Sequence, residues 1–117
     1  MRIYIESTTP SYVVARPARD LLQAARQQLT CDWWDLKREQ HELFTSHVVL
    51  DEIAVGDAAM ARQRLKLMRH IPLLELTAAA NELGREILRS GLLPATADGD
   101  AAHIALATVH QLNILLT

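Results

Sequence analysis

Ile3-Tyr4-Ile5-Glu6, read with the Ser7-Thr8-Thr9-Pro10-Ser11 that follows it, decides the fold class of this chain. β-branched and aromatic residues in an unbroken run read as a short buried strand, since such side chains suit a pleated surface covered on both faces. Glu6 falls directly at the carboxyl end of that strand, and the polar stretch with its proline reads as a loop. Outward from here, strand-like runs alternate with helical periods. Pro17 suits the first turn of a helix, and Leu21, Ala25, Leu29 and Trp33 recur every four residues, which predicts one inward face. Leu43-Phe44-Thr45 is a second strand candidate. Ser46 is placed to cap a helix through Val55, and Gly56-Asp57 closes that helix and caps the next, over roughly Ala58 to His70. Pro72 enforces a stop, and Leu73-Leu74-Glu75-Leu76 reads as a third strand. A helix from Ala78 to Arg89 ends at Ser90-Gly91, with glycine just past its C-terminus. A loop over Leu92 to Gly99, a helix from Asp100 through about His110 and a fourth strand over Asn113 to Thr117 complete the pattern. Such alternation predicts an α/β fold, a parallel sheet wrapped by helices. Ligands of such sheets sit beyond the carboxyl ends of the strands, which is where topology puts Glu6.

The bulk numbers narrow the function classes. The chain has 117 residues, half of them apolar, which predicts one domain over 1–117 with a core of ordinary size. Aromatics make up 4%, so Leu, Ile, Val and Ala must fill the interior. Twelve basic and 14 acidic residues give a net charge of −2, and no global basic field recruits nucleic acid. The single cysteine, Cys31, has no partner for an internal disulfide, which fits a reducing cytoplasm. The apolar stretch at the N-terminus is too short for a signal peptide, and no run of about 18 apolar residues predicts a membrane span.

Helical phase selects among the carboxylates. Glu52 falls on the wheel between Val48 and Val49, inside an apolar arc that also holds Ile53 and Val55, whereas Asp51 falls outside it. Asp100 shares a face with Ile104 and Ala107 and is expected to lean inward. An inward carboxylate costs several kcal/mol unless it is paired or metal-bound. The competing reading is that Glu6 ends a strand in water, while Glu52 and Asp100 complement helix N-termini at about 0.3–1 kcal/mol each.

Three stretches resemble one known family. They are Ile3-Tyr4-Ile5-Glu6-Ser7-Thr8-Thr9-Pro10-Ser11-Tyr12, Ser46-His47-Val48-Val49-Leu50-Asp51-Glu52-Ile53-Ala54-Val55-Gly56-Asp57, and Asp100-Ala101-Ala102-His103-Ile104-Ala105-Leu106-Ala107 followed by Leu115-Leu116-Thr117. In this order they resemble a PIN domain, and within that superfamily the VapC-type toxins of bacterial toxin–antitoxin pairs. The resemblance implies a three-layer α/β/α sandwich with a central parallel sheet and a Mg2+- or Mn2+-dependent endoribonuclease. It implies Glu6, Glu52 and Asp100 as catalytic and metal-binding residues, with Thr8 and Thr117 in support. It implies RNA as substrate, a cognate antitoxin and a homodimer. Two departures accompany it: the first acidic position is Glu6 where the superfamily more often has Asp, and the sequence ends at Thr117, just before a position the family usually gives to Asp or Asn. A C-terminally shortened version of the family fold is therefore expected, with an inactive scaffold or a DNA-directed nuclease as the alternatives.

Other features carry less. Asp100 and His103 form an Asp-x-x-His pair that binds metal in some proteins, yet no matching second motif occurs, so His103 and His110 read as surface or satisfied histidines. Trp33-Trp34 reads as packing before base stacking. Arg16, Arg19 and the stretch Arg62 to Lys66 read as solvated helix faces before phosphate contacts. No Gly-rich phosphate loop and no G-x-S-x-G elbow occurs, which argues against kinase, NTPase and serine-hydrolase chemistry.

Overall fold

The computed structural model describes all residues except 95–97, and of Asp98 only the backbone. In chain order its elements are β1 (Arg2–Ile5), α1 (Thr8–Val14), α2 (Leu21–Leu36), a 3-10 turn (Arg38–Gln40), β2 (Glu42–Phe44), α3 (His47–Ile53), α4 (Ala58–Met68), α5 (Ala78–Arg89), α6 (Asp98–Val109) and β3 (Ile114–Leu116). The fold is α/β. Among the described residues six helices surround one three-stranded sheet of order β2-β1-β3, and both pairings are parallel. β1 is central and aligns Ile3 with Leu43 on one side and Ile114 on the other.

Burial explains why β1 takes that place. Ile3, Tyr4 and Ile5 are almost fully shielded, and they pack with Trp34 of α2, Val49 and Ile53 of α3, Met68 of α4 and Leu106 of α6. Fully burying an aliphatic side chain of this size is worth about 1.5–3 kcal/mol, so a strand covered on both faces anchors the sheet. Helices α5 and α6 meet through small residues: Ala80, Ala101 and Ala105 are buried, and a Cβ at Gly84 would already touch the Ala105 side chain at 3.8 Å. Local chemistry sets the helix starts. Asp20, Ser46, Asp57 and Thr77 each accept from the amide three residues further on, each cap being worth about 1 kcal/mol. Gly56 and Gly91 follow α3 and α5 at φ values of 96° and 75°, where a side chain would be strained.

Five sequence expectations need correction. Ser7 to Ser11 is not a loop, because α1 starts at Thr8 and Pro10 sits in its first turn, where no backbone donor is required. The next helix starts at Leu21 behind its Asp20 cap rather than near Pro17. Its expected inward stripe holds only at its end: Leu21 is 87% exposed, Leu29 70% and Ala25 exposed, while Trp33 packs against the core. Gln23 and Gln27 take the inner side instead. Gln23 accepts from the Tyr12 hydroxyl, and Gln27 bridges Ala18 N–H and Arg16 C=O, so polar pairing with the preceding segment outweighs the apolar period. Leu73 to Leu76 is no strand. Thr45 bridges Leu73 in parallel, with amide bonds to Pro72 and Leu74, and the chain then turns off into the Thr77 cap of α5. The expected loop from Leu92 to Gly99 yields its end to α6, and its 95–97 portion lies outside the described residues.

Candidate functional site

Three elements converge beyond the carboxyl end of β1. The strand delivers Glu6, which is 8% exposed and therefore a buried charge that needs partners. Its Oε1 accepts from the Thr8 amide at 2.7 Å and its Oε2 lies 3.5 Å from the Ser7 hydroxyl, so the carboxylate closes the start of α1. Helix α6 delivers Asp100 from its first turn, where a negative charge is favoured by the helix dipole. Glu6 and Asp100 line one cavity of about 300 Å3, together with Leu93, His103, Ile104, Leu115 and Thr117. No Lys or Arg is among those lining residues.

Glu52 comes from the last turn of α3 and reaches the same region through a histidine. His103 of α6 is 2% exposed, and its Nε2 lies 2.9 Å from Glu52 Oε1. On the other side of the ring, Nδ1 lies 2.7 Å from the Tyr4 hydroxyl, which is itself 2.7 Å from Ser46 Oγ. Ser46 Oγ also accepts from the Val49 amide as the cap of α3. Burial is the main reason the Tyr4 phenol is pushed well above its usual range; the Ser46 hydrogen bond opposes this, while the negative fields of Glu52 and Glu6 add to it. Tyr4 thus stays a protonated donor at any physiological pH. The Glu52 Oε2 atom packs against the start of α6, so closely that a Cβ at Gly99 would fall 2.6 Å from it.

The expected acidic residues thus lie on one side of the molecule. Asp51 is exposed, as phase requires, but Glu52 and Val55 are exposed as well: Glu52 reaches inward only at its tip, where Oε1 meets the buried His103 ring, and 35% of its side chain stays open to solvent. Asp100 is exposed at the cavity rim rather than inward, because Ala101, His103, Ala105 and Leu106 take the buried face of α6. Among the described residues, no three His, Cys, Asp or Glu side chains are grouped closely enough to enclose a metal ion. Thr8 contributes its backbone N–H, and Thr117 contributes to the cavity wall. No family model, curated protein or solved structure matches this chain.

The sequence does not show what joins these groups: His103 reads as a surface or satisfied histidine, and is a satisfied one, while Ser46 reads as a helix cap alone. The available signal was Tyr4, a phenol in the middle of an otherwise aliphatic buried strand, which must find a partner inside. The basic residues weighed for phosphate contact divide. Arg64 donates to the Ile53 and Val55 carbonyls, holding the C-terminal end of α3, and Lys66 lines a different cavity of about 610 Å3 with Trp34, Arg38 and His70. Of the tryptophan pair, Trp34 is core, with the Arg38 guanidinium 5.0 Å from its ring centre, and Trp33 stacks on His41. No helix among the described residues is long and apolar enough to cross a membrane.

Proposed function

We propose that the cavity beside Glu6 and Asp100 is the cation-assisted active site of a phosphodiesterase acting on RNA, in a PIN-like fold of the VapC toxin kind. The observation that carries this reading is the shared cavity: two carboxylates face it from different elements at the carboxyl edge of a parallel sheet. With no Lys or Arg in its lining, the cavity would repel a phosphodiester unless a cation lay between the two negative charges. The donor set fits Mg2+ or Mn2+, which take oxygen ligands and keep several waters, so a closed cage of three side chains is not required. Glu6 and Asp100 would hold the ion, and Glu52 would orient a water on the way to it. When bound, the ion supplies a more acidic water and relieves charge on the phosphate. Of the chain's own groups, Glu6 is fixed by the Thr8 amide and Glu52 by His103, so neither carboxylate has to be ordered when substrate binds. A small antitoxin and a second copy of the chain are the protein partners that belong to this reading, and the apolar side chains standing in water on α2 give them surface to cover.

A second reading has its own support. Glu6 caps α1 and Glu52 pairs with His103, so both carboxylates also serve the fold, as an inactive binding or scaffold protein would require. Mn2+ titration calorimetry with parallel cleavage assays on RNA and DNA separates the two. The nuclease binds Mn2+, cuts RNA, and loses both properties in Glu6→Gln and Asp100→Asn. A protein that binds no Mn2+ and leaves RNA whole is the scaffold, and one that cuts DNA alone corrects the substrate.

A further inference from the structure

The hydrogen-bond chain from Ser46 through Tyr4 and His103 to Glu52 has only one polarity that satisfies every member. A carboxylate accepts, so His103 must carry its proton on Nε2 and point it at Glu52 Oε1. Nδ1 is then the acceptor, and the Tyr4 hydroxyl must donate to it. That leaves the Tyr4 oxygen to receive the Ser46 hydroxyl proton, while Ser46 Oγ accepts from Val49 N–H. In the reverse direction the Ser46 proton has no acceptor, in a residue only 1% exposed. Among the described residues no buried side-chain polar atom lacks a partner, which the forward direction preserves. The far end of the chain is shaped as well. Glu52 Oε2 occupies the space that a side chain at Gly99 would fill, so the same carboxylate is held at one oxygen and accommodated at the other.

We propose that His103 is a positioning residue: locked in its Nε2–H form by Tyr4 and Ser46, it holds the Glu52 carboxylate beside the cavity that His103 itself lines, with Gly99 leaving room for that pose. The catalytic part of this role rests on the nuclease reading above. The pose itself does not. His103 also lines the cavity with Glu6 and Asp100, so it joins Glu52 to the two carboxylates that Glu52 does not touch.

Gly99→Ala is the sharpest test, because the new Cβ meets only the tip of a flexible side chain and the helix around it gains a better former. The fold should therefore stay intact while the Glu52–His103 bond breaks. Nitrogen-15 imidazole spectra read which ring nitrogen holds the proton. In wild-type protein His103 should show protonated Nε2 and a hydrogen-bonded, unprotonated Nδ1. Gly99→Ala should perturb the Nε2 signal, and Tyr4→Phe the Nδ1 signal, with melting temperature tracked for each. Cleavage of RNA should fall about 10–100-fold in Gly99→Ala and His103→Leu, the usual loss when the partner of a metal-site carboxylate is removed. His103→Gln, which keeps a donor near Nε2, should recover most of it. A wild-type His103 with its proton on Nδ1, or Gly99→Ala spectra like wild type, overturns the proposal whatever the activity. Wild-type cleavage that is unchanged in His103→Leu overturns the positioning role and leaves the nuclease standing. A wild type that binds no Mn2+ and cuts nothing sinks the nuclease and its catalytic clause, and the spectra alone then decide the pose.

Discussion

At the carboxyl edge of β1, the side chains of Tyr4, Ser46, His103 and Glu6 lie in the interior, whereas along α2 Leu21, Leu29 and Leu36 stand in water. Each region inverts the usual inside–outside pattern, and the two inversions have different physical meanings. Buried polar groups are tolerated only when each finds a partner, so the edge of β1 is fixed in one arrangement and a single lost group leaves others stranded. An exposed leucine leaves no unmet hydrogen bond; it merely forgoes the stabilisation that burial would bring. The first region should therefore be sensitive to small changes and the second nearly indifferent to them.

Core loss beside the site sets the scale of the largest effect. Leu106 on α6 is fully buried next to the hydrogen-bonded chain, and Leu106→Ala should lower the unfolding free energy by about 2–5 kcal/mol in urea titration. Ligand binding comes next. Mn2+ at 100-fold excess over its Kd should stabilise wild-type protein by about 2.7 kcal/mol in thermal melts, and Asp100→Asn should remove most of that gain. Equal responses in the two proteins would show that the cation, if bound, sits elsewhere.

Tyr4→Phe removes one oxygen from the buried chain and leaves the Ser46 hydroxyl and His103 Nδ1 without it, at a cost of about 1–3 kcal/mol. The same variant tests pH dependence. Burial raises the Tyr4 pKa above its unfolded value of about 10, so the native state holds a proton that the unfolded chain releases. The contribution is complete below about pH 10 and is lost as pH rises from there towards the native pKa, at about 1.4 kcal/mol per pH unit. Wild type should therefore lose stability with alkali more steeply than Tyr4→Phe by that slope. Parallel curves would mean the phenol is not shielded as the packing indicates.

The same contrast shows what was legible in the sequence. Local chemistry was: Ser46 and Asp57 cap the helices assigned to them, and Gly91 closes α5, because a cap depends only on neighbours a few residues away. The parallel sheet with Glu6 at its carboxyl edge followed from alternation alone. What escaped was decided by distant partners. The apolar period of α2 places Trp33 on the core, but towards the start of the helix Gln23 and Gln27 take the inner side from Leu21 and Ala25, since their amides serve residues 12 to 18. Leu73 to Leu76 has strand composition, but only Leu73 finds a neighbour in the sheet. His103 reads as a surface or satisfied histidine and is a satisfied one, but the identity of its two partners is hidden, because they are 51 and 99 residues away in sequence.

The smallest expected effect belongs to α2. Leu29 is 70% exposed and lies opposite the glutamines that tie the helix down, so Leu29→Gln removes little buried area and introduces no unmet polar group. The unfolding free energy should stay within about 0.5 kcal/mol of wild type, the ordinary range for a surface change. A loss of about 2 kcal/mol or more would place Leu29 against other protein in solution, for such a cost requires a covered side chain. Repeating the melt over a range of protein concentrations then identifies the cover, because only association between chains makes the melting temperature depend on concentration.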